Sequence, residues 1–439
     1  MTVALIAALD TKADDAAFLA SRLRSHGHEV TLVDVGVLGE PGIAPDIARE
    51  EVAAAAGRSH EELVARRDRA EAVTAMTAGA TRVLERLERQ GRLSGAMAIG
   101  GGAGTTIGCA ALRGLPLGLP KVVLTTLAAA DPGRFVGTSD IVLFPSLVDV
   151  AGVNRVSAVA YARAADALAG MIDGAEAAPA PADVPVVAAS MFGVTTPCVE
   201  RAKRRLERAG CEVLVFHASG AGGRMLERLV GEGRVDAVLE ATTTEWADEI
   251  VGGILAAGPH RLEAAGRAGV PQVVSLGATD MVNLGPRHSL PERFRDRCLY
   301  QHTADSTLLR VTVAEAEEIG AAIGRKLRAA EGPVTVLVPR RGVSALDAPG
   351  QPFDDPAARA ALAGALRAQV AGTHVRVEEH DLHINDAAFA DLLAERVLAA
   401  LHSYAPSGSA ASMVVPSGEE VISSSPRSSA TRSRITDRP

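Results

Sequence analysis

The sequence predicts an α/β protein of two halves, each a parallel sheet covered by helices. Short apolar runs alternate with amphipathic stretches, the pattern of strands buried on both faces and wrapped by crossover helices. The alternation breaks once, in an Ala/Pro-rich stretch over residues 173–185 where Pro179, Pro181 and Pro185 crowd together, and then restarts. A chain of 439 residues is also long enough for two domains with a core each.

In order along the chain, residues 3–8 read as a first strand, 14–25 as a helix, 29–33 as a second strand, 96–99 as a third and 121–124 as a fourth. Between the second and third strands lies an Ala/Arg/Glu-rich insertion, roughly residues 45–90. It is too long for an ordinary crossover helix and is expected to be helical, serving as a dimer surface or a lid. Past the linker, residues 186–190 read as a strand, 197–209 as a helix and 212–216 as a strand. Residues 235–239, 272–276, 334–338 and 375–379 are four more strands. Both halves open alike: strand, polar turn, helix ending in Gly27 or Gly210, then an apolar strand, a layout that fits a duplication. The expected boundaries are 1–178 for the N-terminal domain and 179–405 for the C-terminal one. The Ser/Arg/Pro-rich stretch 406–439 cannot bury a core and is expected to be disordered.

A net charge of −8 argues against nucleic acid or an anionic membrane as partner, and 3% aromatic residues leave few platforms for stacking bases. Cys109, Cys198, Cys211 and Cys298 are scattered without a CxxC pair, which excludes a zinc ribbon or a disulfide framework and fits a reducing compartment. Residues 1–6 lead straight to Asp10 and Lys12, too soon for a signal segment, and no apolar run has membrane-spanning length. The expected location is the cytoplasm.

Glycine-rich turns occur twice. Gly100-Gly101-Gly102-Ala103-Gly104-Thr105-Thr106 follows the third strand, and Ser219-Gly220-Ala221-Gly222-Gly223 follows residues 213–216. Such turns remove Cβ atoms and gather backbone N–H groups at a helix start, where an anion can be held. One glycine suffices for a turn, and the first loop has four. The spacing matches neither GxGxxG nor GxxxxGK[ST], so neither a nicotinamide fingerprint nor a phosphate loop of the Walker type is supported.

Around the first turn, Asp10-Thr11-Lys12 closes strand one at the edge where open α/β sheets bind ligands. The chain has four lysines against 41 arginines, which makes a lysine at this place notable. Lys12 offers phosphates a point charge, and Asp10 offers Mg²⁺ or a sugar hydroxyl a carboxylate; a plain helix start explains the same residues equally well. Asp34 ends strand two, the place of a ribose-binding acid, and Gly36 leaves room beside it. Thr125 and Thr126 end strand four at the same edge.

The second half has a comparable set at three strand ends: His217 with Ser219, Gly220, Gly222 and Gly223; Thr242, Thr243, Thr244 and Glu245; and Thr279, Asp280 and Asn283. These are expected to form a second ligand site facing the interdomain cleft, for a small carboxylate or phosphorylated metabolite. Helix capping accounts for one threonine of the run rather than three. Cys198, at a helix start, reads better as a buried structural thiol than as a nucleophile. His374, His380 and His383 flank a strand and a turn without the spacing of a metal site.

Taken together these segments resemble the Tm-one-like ATP-binding domain family, named for the tomato mosaic virus resistance protein. The matching stretches are Ala8–Lys12, residues 33–37, Ile99–Gly102, Val194–Cys198, residues 215–218, Thr242–Glu245, Gly277–Asn283 and His383–Asp386, in order over residues 1 to about 403. The resemblance implies two Rossmann-like domains, ATP with Mg²⁺ in the first, and a homodimer. It places the nucleotide on Asp10, Thr11, Lys12, Gly36, the loop Gly101, Gly102, Ala103, Gly104, Thr105 and Thr106, and on Thr125 and Thr126. The chain departs from the family pattern at Ala13-Asp14-Asp15, at Ala103 in place of a serine, and at Leu127–Ala130, which trims phosphate ligands. The leading expectation is a cytoplasmic nucleotide-binding protein, either an enzyme using ATP on a small metabolite or a non-catalytic nucleotide sensor that docks a protein partner.

Overall fold

The computed structural model describes residues 1–175 and 183–404. Most of the expected linker, and the tail expected to be disordered, lie outside these residues. The N-terminal half runs β1 (Thr2–Ala7), α1 (Ala13–Ser25), β2 (Glu29–Asp34), α2 (Arg49–Ala55), α3 (His60–Arg66), α4 (Arg69–Arg89), β3 (Gly95–Gly100), α5 (Gly102–Arg113), β4 (Lys121–Thr125), α6 (Pro132–Val136), β5 (Val142–Pro145) and α7 (Ser157–Ala175). Its five strands are all parallel, in the order β2-β1-β3-β4-β5. Strand β5 was not anticipated, although residues 141–145 are an unbroken apolar run; it is a short edge strand with Val142 and Pro145 exposed.

The C-terminal half runs β6 (Val186–Met191), α8 (Thr196–Arg208), β7 (Glu212–His217), α9 (Ala221–Gly231), β8 (Ala237–Thr242), α10 (Glu245–Val251), α11 (Ala264–Arg267), β9 (Gln272–Gly277), β10 (Met281–Leu284), β11 (Leu299–Thr303), β12 (Ser306–Arg310), α12 (Val313–Arg328), β13 (Val334–Pro339), α13 (Pro356–Val370), β14 (Arg376–His380) and α14 (Ala387–Tyr404). Six strands form a parallel sheet in the order β14-β13-β9-β8-β6-β7, as the six apolar runs predicted. A separate antiparallel sheet, β10-β12-β11, was not foreseen. Strand β10 carries Asn283, which the sequence places in the polar stretch at the end of β9.

Both parallel sheets are sandwiched between helices, with apolar clusters on each face. The expected two-domain, Rossmann-like α/β architecture is therefore present. Counted within each half, the first five strands share one order, 2-1-3-4-5, so each sheet has a switch point between its first and third strands. There the crossovers turn to opposite faces and leave a crevice beyond the strand ends.

The insertion is helical, as predicted. Helix α4 buries Ala72, Ala75, Met76, Ala80, Val83, Leu84 and Leu87 at three- and four-residue steps, one stripe of a helix. Asp68 caps it, accepting the N–H groups of Ala70 at 2.9 Å and Glu71 at 3.0 Å, which stabilises the helix by about 1 kcal/mol. Among the described residues, the hydrogen bonds between the two halves are donated by Arg228 to the carbonyls of Thr138 and Leu115, and by Arg234 to that of Leu117. All three acceptors precede β4 or β5, and both donors precede β8. The join thus lies at the N-terminal edges of the two sheets, opposite to the strand ends that carry the predicted sites. No helix of the described residues is long and apolar enough to cross a membrane.

Candidate functional site

A cavity of about 720 Å³ opens at the switch point of the first sheet. Ala8, Asp10 and Thr11 after β1 line one side, and Ala103 and Gly104 at the start of α5 another. Gly36 and Val37 follow β2 beside them. The insertion supplies the remaining wall through Leu63, Val64, Val73 and Met76, with Arg67 and Arg69 among the lining residues. The insertion, expected to serve as a dimer surface or a lid, therefore supplies a wall of this cavity.

Helix α5 begins at the cavity with Gly101 as its N-cap and no side-chain cap, so its first N–H groups remain available. The glycines here divide by purpose. A Cβ on Gly104 would press on the Ile99 carbonyl, and one on Gly108 would collide with Ala98, so these two let α5 lie close on β3. A Cβ on Gly102 would meet nothing within 4 Å, and one on Gly101 only the Thr126 hydroxyl at 3.8 Å. Packing does not demand glycine at 101 or 102. The space beside them is open.

The threonines divide as well. Thr105 and Thr125 are fully buried and share a hydrogen bond at 2.5 Å, and the Thr125 hydroxyl also accepts the Leu127 N–H at 2.9 Å. They fasten α5 to β4 and face no ligand. Thr106 donates back to the Gly102 carbonyl at 3.0 Å, while Thr126 is exposed beside the loop.

Asp10 proves to be an anchor. Its Oδ2 accepts the N–H groups of Val37, Leu38 and Gly39 at 3.2, 3.0 and 3.3 Å, holding the loop after β2. Asp34 is fully buried and lies outside the cavity lining. Its Oδ1 accepts from Leu9 at 2.9 Å and Gly36 at 2.8 Å, and its Oδ2 has no partner. Burial raises this carboxyl above its ordinary range, against the two N–H bonds. A Cβ on Gly36 would lie within about 3 Å of both carboxylates, so only glycine fits between them. Thr11 is exposed and half-turned to the Ala8 carbonyl at 3.5 Å. Lys12, half-buried at the start of α1, has no hydrogen bond or ion pair for its ammonium among the described residues.

The second half does not repeat this site. Its glycine turn follows β7, the second strand of that half, whereas the first turn follows a third strand. Topologically, the counterpart of the first turn is Thr242–Glu245 after β8. The second turn's N–H groups do hold an anion, but it is the protein's own: Glu245 Oε1 accepts from Gly220 at 2.7 Å and Gly223 at 3.1 Å. Its Oε2 accepts from Arg261 Nε at 2.6 Å, and Arg261 also bonds Glu240 through both terminal nitrogens and Glu227 at 3.0 Å. Burial opposes the Arg261 charge, yet the surrounding glutamates hold it firmly protonated.

The other residues expected at that site are likewise internal. Thr242 shares a hydrogen bond with Thr195 at 2.7 Å, Thr243 donates to the Ser275 carbonyl at 3.2 Å, and the buried Thr244 hydroxyl has no partner. Thr279 donates to the Leu276 carbonyl at 2.8 Å, and Asp280 accepts from Ser344 at 2.8 Å. Asn283 donates through its backbone and side chain to Asp248, both at 2.8 Å, and burial pushes the Asp248 carboxyl up to about 7. A Cβ on Gly222 would collide with the His217 carbonyl, so that glycine serves packing. His217 alone is exposed, stacked on Phe192 at 5.1 Å, with Ser219 half-buried next to it. Burial pushes the Cys198 thiol up to about 12, consistent with an inert structural cysteine. Among the described residues no three His, Cys, Asp or Glu side chains converge to hold a metal.

What the sequence reading missed is the apolar wall and the Arg67–Arg69 corner. The three- and four-residue spacing of the insertion signalled a buried face, but it could not say that Leu63 and Met76 turn toward the glycine loop.

Residues 1–177 match the model of the N-terminal domain of an uncharacterised protein family, UPF0261, and residues 184–401 that of its C-terminal domain. A UPF0261 protein of Clostridium tetani is 43% identical over 396 residues, 90% of this chain and 98% of that protein. Another, of Rhizobium meliloti, is 43% identical over 388 residues, 88% of this chain and 96% of that protein. The tomato (Solanum lycopersicum) ToMV susceptible protein tm-1(GCR26) is 38% identical over 413 residues, which are 90% of this chain but 55% of the tomato protein. The chain, from its first parallel sheet to the last helix of its second, belongs to the UPF0261 family.

Proposed function

We propose that the N-terminal half binds a nucleoside triphosphate, ATP, in the cavity at the β1/β3 switch point. One observation carries this: the uncapped start of α5, which follows two glycines that packing does not require, lines with Ala103 and Gly104 a cavity walled by apolar side chains. Phosphate oxygens would take the free N–H groups of α5, the Lys12 side chain would reach them from the start of α1, outside the cavity lining, and the base would lie against Leu63, Val73 and Met76. Asp10 fits a metal-ligand role poorly, because one of its oxygens already accepts three N–H groups. Mg²⁺ would accompany the phosphates. The four free cysteines accord with a cytoplasmic setting.

Calorimetric titration of the full chain with ATP, with and without Mg²⁺, tests this reading. Saturable binding that is lost in Gly102→Leu, which fills the open space, and weakened in Lys12→Ala supports it. A folded protein that takes up no ATP overturns it.

The homodimer is proposed on a different face. Among the described residues strand β5 is an unpaired sheet edge, and Val142, Leu147, Val153, Val156 and Val159 near it are 41–66% exposed. Exposed apolar side chains along a free edge suit a second copy of the chain. Light scattering should show a dimer that Leu147→Asp with Val156→Asp converts to monomer; a wild-type monomer would sink this part of the proposal.

A further inference from the structure

A second cavity, about 450 Å³, opens where β13 ends beneath α13, and none of the predicted ligand-site residues is in its lining. One wall is apolar, built by Leu276, Val338, Val343, Leu362 and Ala363. The other carries the guanidinium groups of Arg340, Arg359 and Arg367 with a single carboxylate, Glu379, which is already bonded to Arg367.

Arg340 is fixed at its backbone, where its N–H donates to the His380 carbonyl at 2.9 Å. Its guanidinium has no hydrogen bond or ion pair among the described residues. Arg359 is more telling. Its side chain is 11% exposed, and both its hydrogen bonds leave through Nη1, to Asp347 at 2.7 Å and Asp354 at 2.9 Å. Its Nε is buried and has no acceptor. A buried N–H without a partner is expensive to leave so, and this one belongs to a residue that lines a cavity with a further free cation.

We propose that this cavity binds a small organic oxyanion: a carboxylate or phosphate group on an apolar body. Arg340 and Arg359 grip the head, Arg359 Nε donating to one of its oxygens, and the wall of Leu276, Val338 and Leu362 lodges the body. Guanidinium forks match both kinds of oxyanion, and the volume is that of a small-metabolite site. The proposal stands apart from the nucleotide reading, since the cavity lies in the other half.

Benzoate and phenyl phosphate are titrated calorimetrically into the full chain carrying Gly102→Leu, so that the first-domain loop is closed to them. At least one probe should saturate a single site, and which one does identifies the head group. Arg340→Ala should weaken that binding by tenfold or more, and Arg359→Lys, which keeps the charge but removes Nε, should do likewise. Arg340 is exposed, so Arg340→Ala carries the test alone should Arg359→Lys fail to fold. Failure of both probes to saturate overturns the proposal, as does binding that Arg340→Ala leaves at parental strength.

Discussion

Glu245 occupies the turn that Gly223 opens. The Gly223 N–H donates to Glu245 Oε1 at 3.1 Å, and a Cβ at that glycine would collide with the carboxylate and with Arg261. Backbone, acid and cation thus share one buried spot. Gly223→Ala should lower the unfolding free energy by about 1–3 kcal/mol through overpacking. Glu245→Ala should cost about 1–3 kcal/mol for each buried donor it orphans, the Gly220 and Gly223 N–H groups and Arg261 Nε–H, while Arg261 keeps Glu240 and Glu227 as partners. Chemical denaturation of each variant checks both figures.

The first glycine loop should separate stability from binding. Gly102→Ala adds a Cβ into open space at the first turn of α5 and should hold or raise stability, by about 0.4–1 kcal/mol. Gly108→Ala drives a Cβ into Ala98 and should cost about 1–3 kcal/mol. Thermal melts of the two variants, compared side by side, decide whether the packing roles are assigned correctly.

Arg67 stands in the left-handed region, with φ 51°, at the α3–α4 junction and lines the first cavity. Arg67→Gly should relieve about 1 kcal/mol of backbone strain, raising the melting temperature, while weakening nucleotide binding through loss of a cation. A variant that melts lower and binds ATP unchanged would contradict both halves of this prediction.

Asp248 sets a pH dependence. Its folded-state carboxyl is pushed up to about 7 by burial, above the unfolded value near 4, so the folded protein holds the extra proton between those pH values. Stability contributed by this group should therefore fall as pH rises from about 4 to 7, by up to about 1.4 kcal/mol per pH unit, and recover on acidification. Asp248→Asn should flatten that slope. Denaturation curves for wild type and variant across pH 4–8 measure the difference directly.

Periodicity made most of the fold legible. Most strands of the two parallel sheets held short, largely buried apolar runs, while the edge strand β14 sets Glu378 and Glu379 beside Val377. The antiparallel sheet of β10, β11 and β12 escaped because its strands mix polar residues such as Asn283, Gln301 and Thr307 with their apolar ones, whereas β5 was overlooked despite the apolar run over residues 141–145. Of the residues singled out from sequence, Asp10, Thr11, Gly36, Ala103 and Gly104 line the cavity, and their positions follow from strand ends. The site was not legible in the roles of its acids and threonines. Asp10, Asp34, Thr105 and Glu245 each looked ligand-facing by position, but a polar side chain at a strand end serves a neighbouring backbone N–H as readily as a ligand. Only the three-dimensional partner decides. Arg359 was overlooked for the converse reason: nothing near it in sequence reveals an N–H left without an acceptor.

Arg228 and Arg234 clasp the carbonyls of Leu115, Leu117 and Thr138 at the ends of the sheets remote from both cavities. A ligand in either cavity touches only its own half and shares no wall with the other. Within one chain, then, the two halves should respond as separate receptors on a common base: saturating one cavity should shift the affinity of the other less than twofold, a coupling below about 0.4 kcal/mol. Any stronger communication would have to travel between chains, across the Val142–Val159 face of the proposed dimer, and would then disappear on dilution.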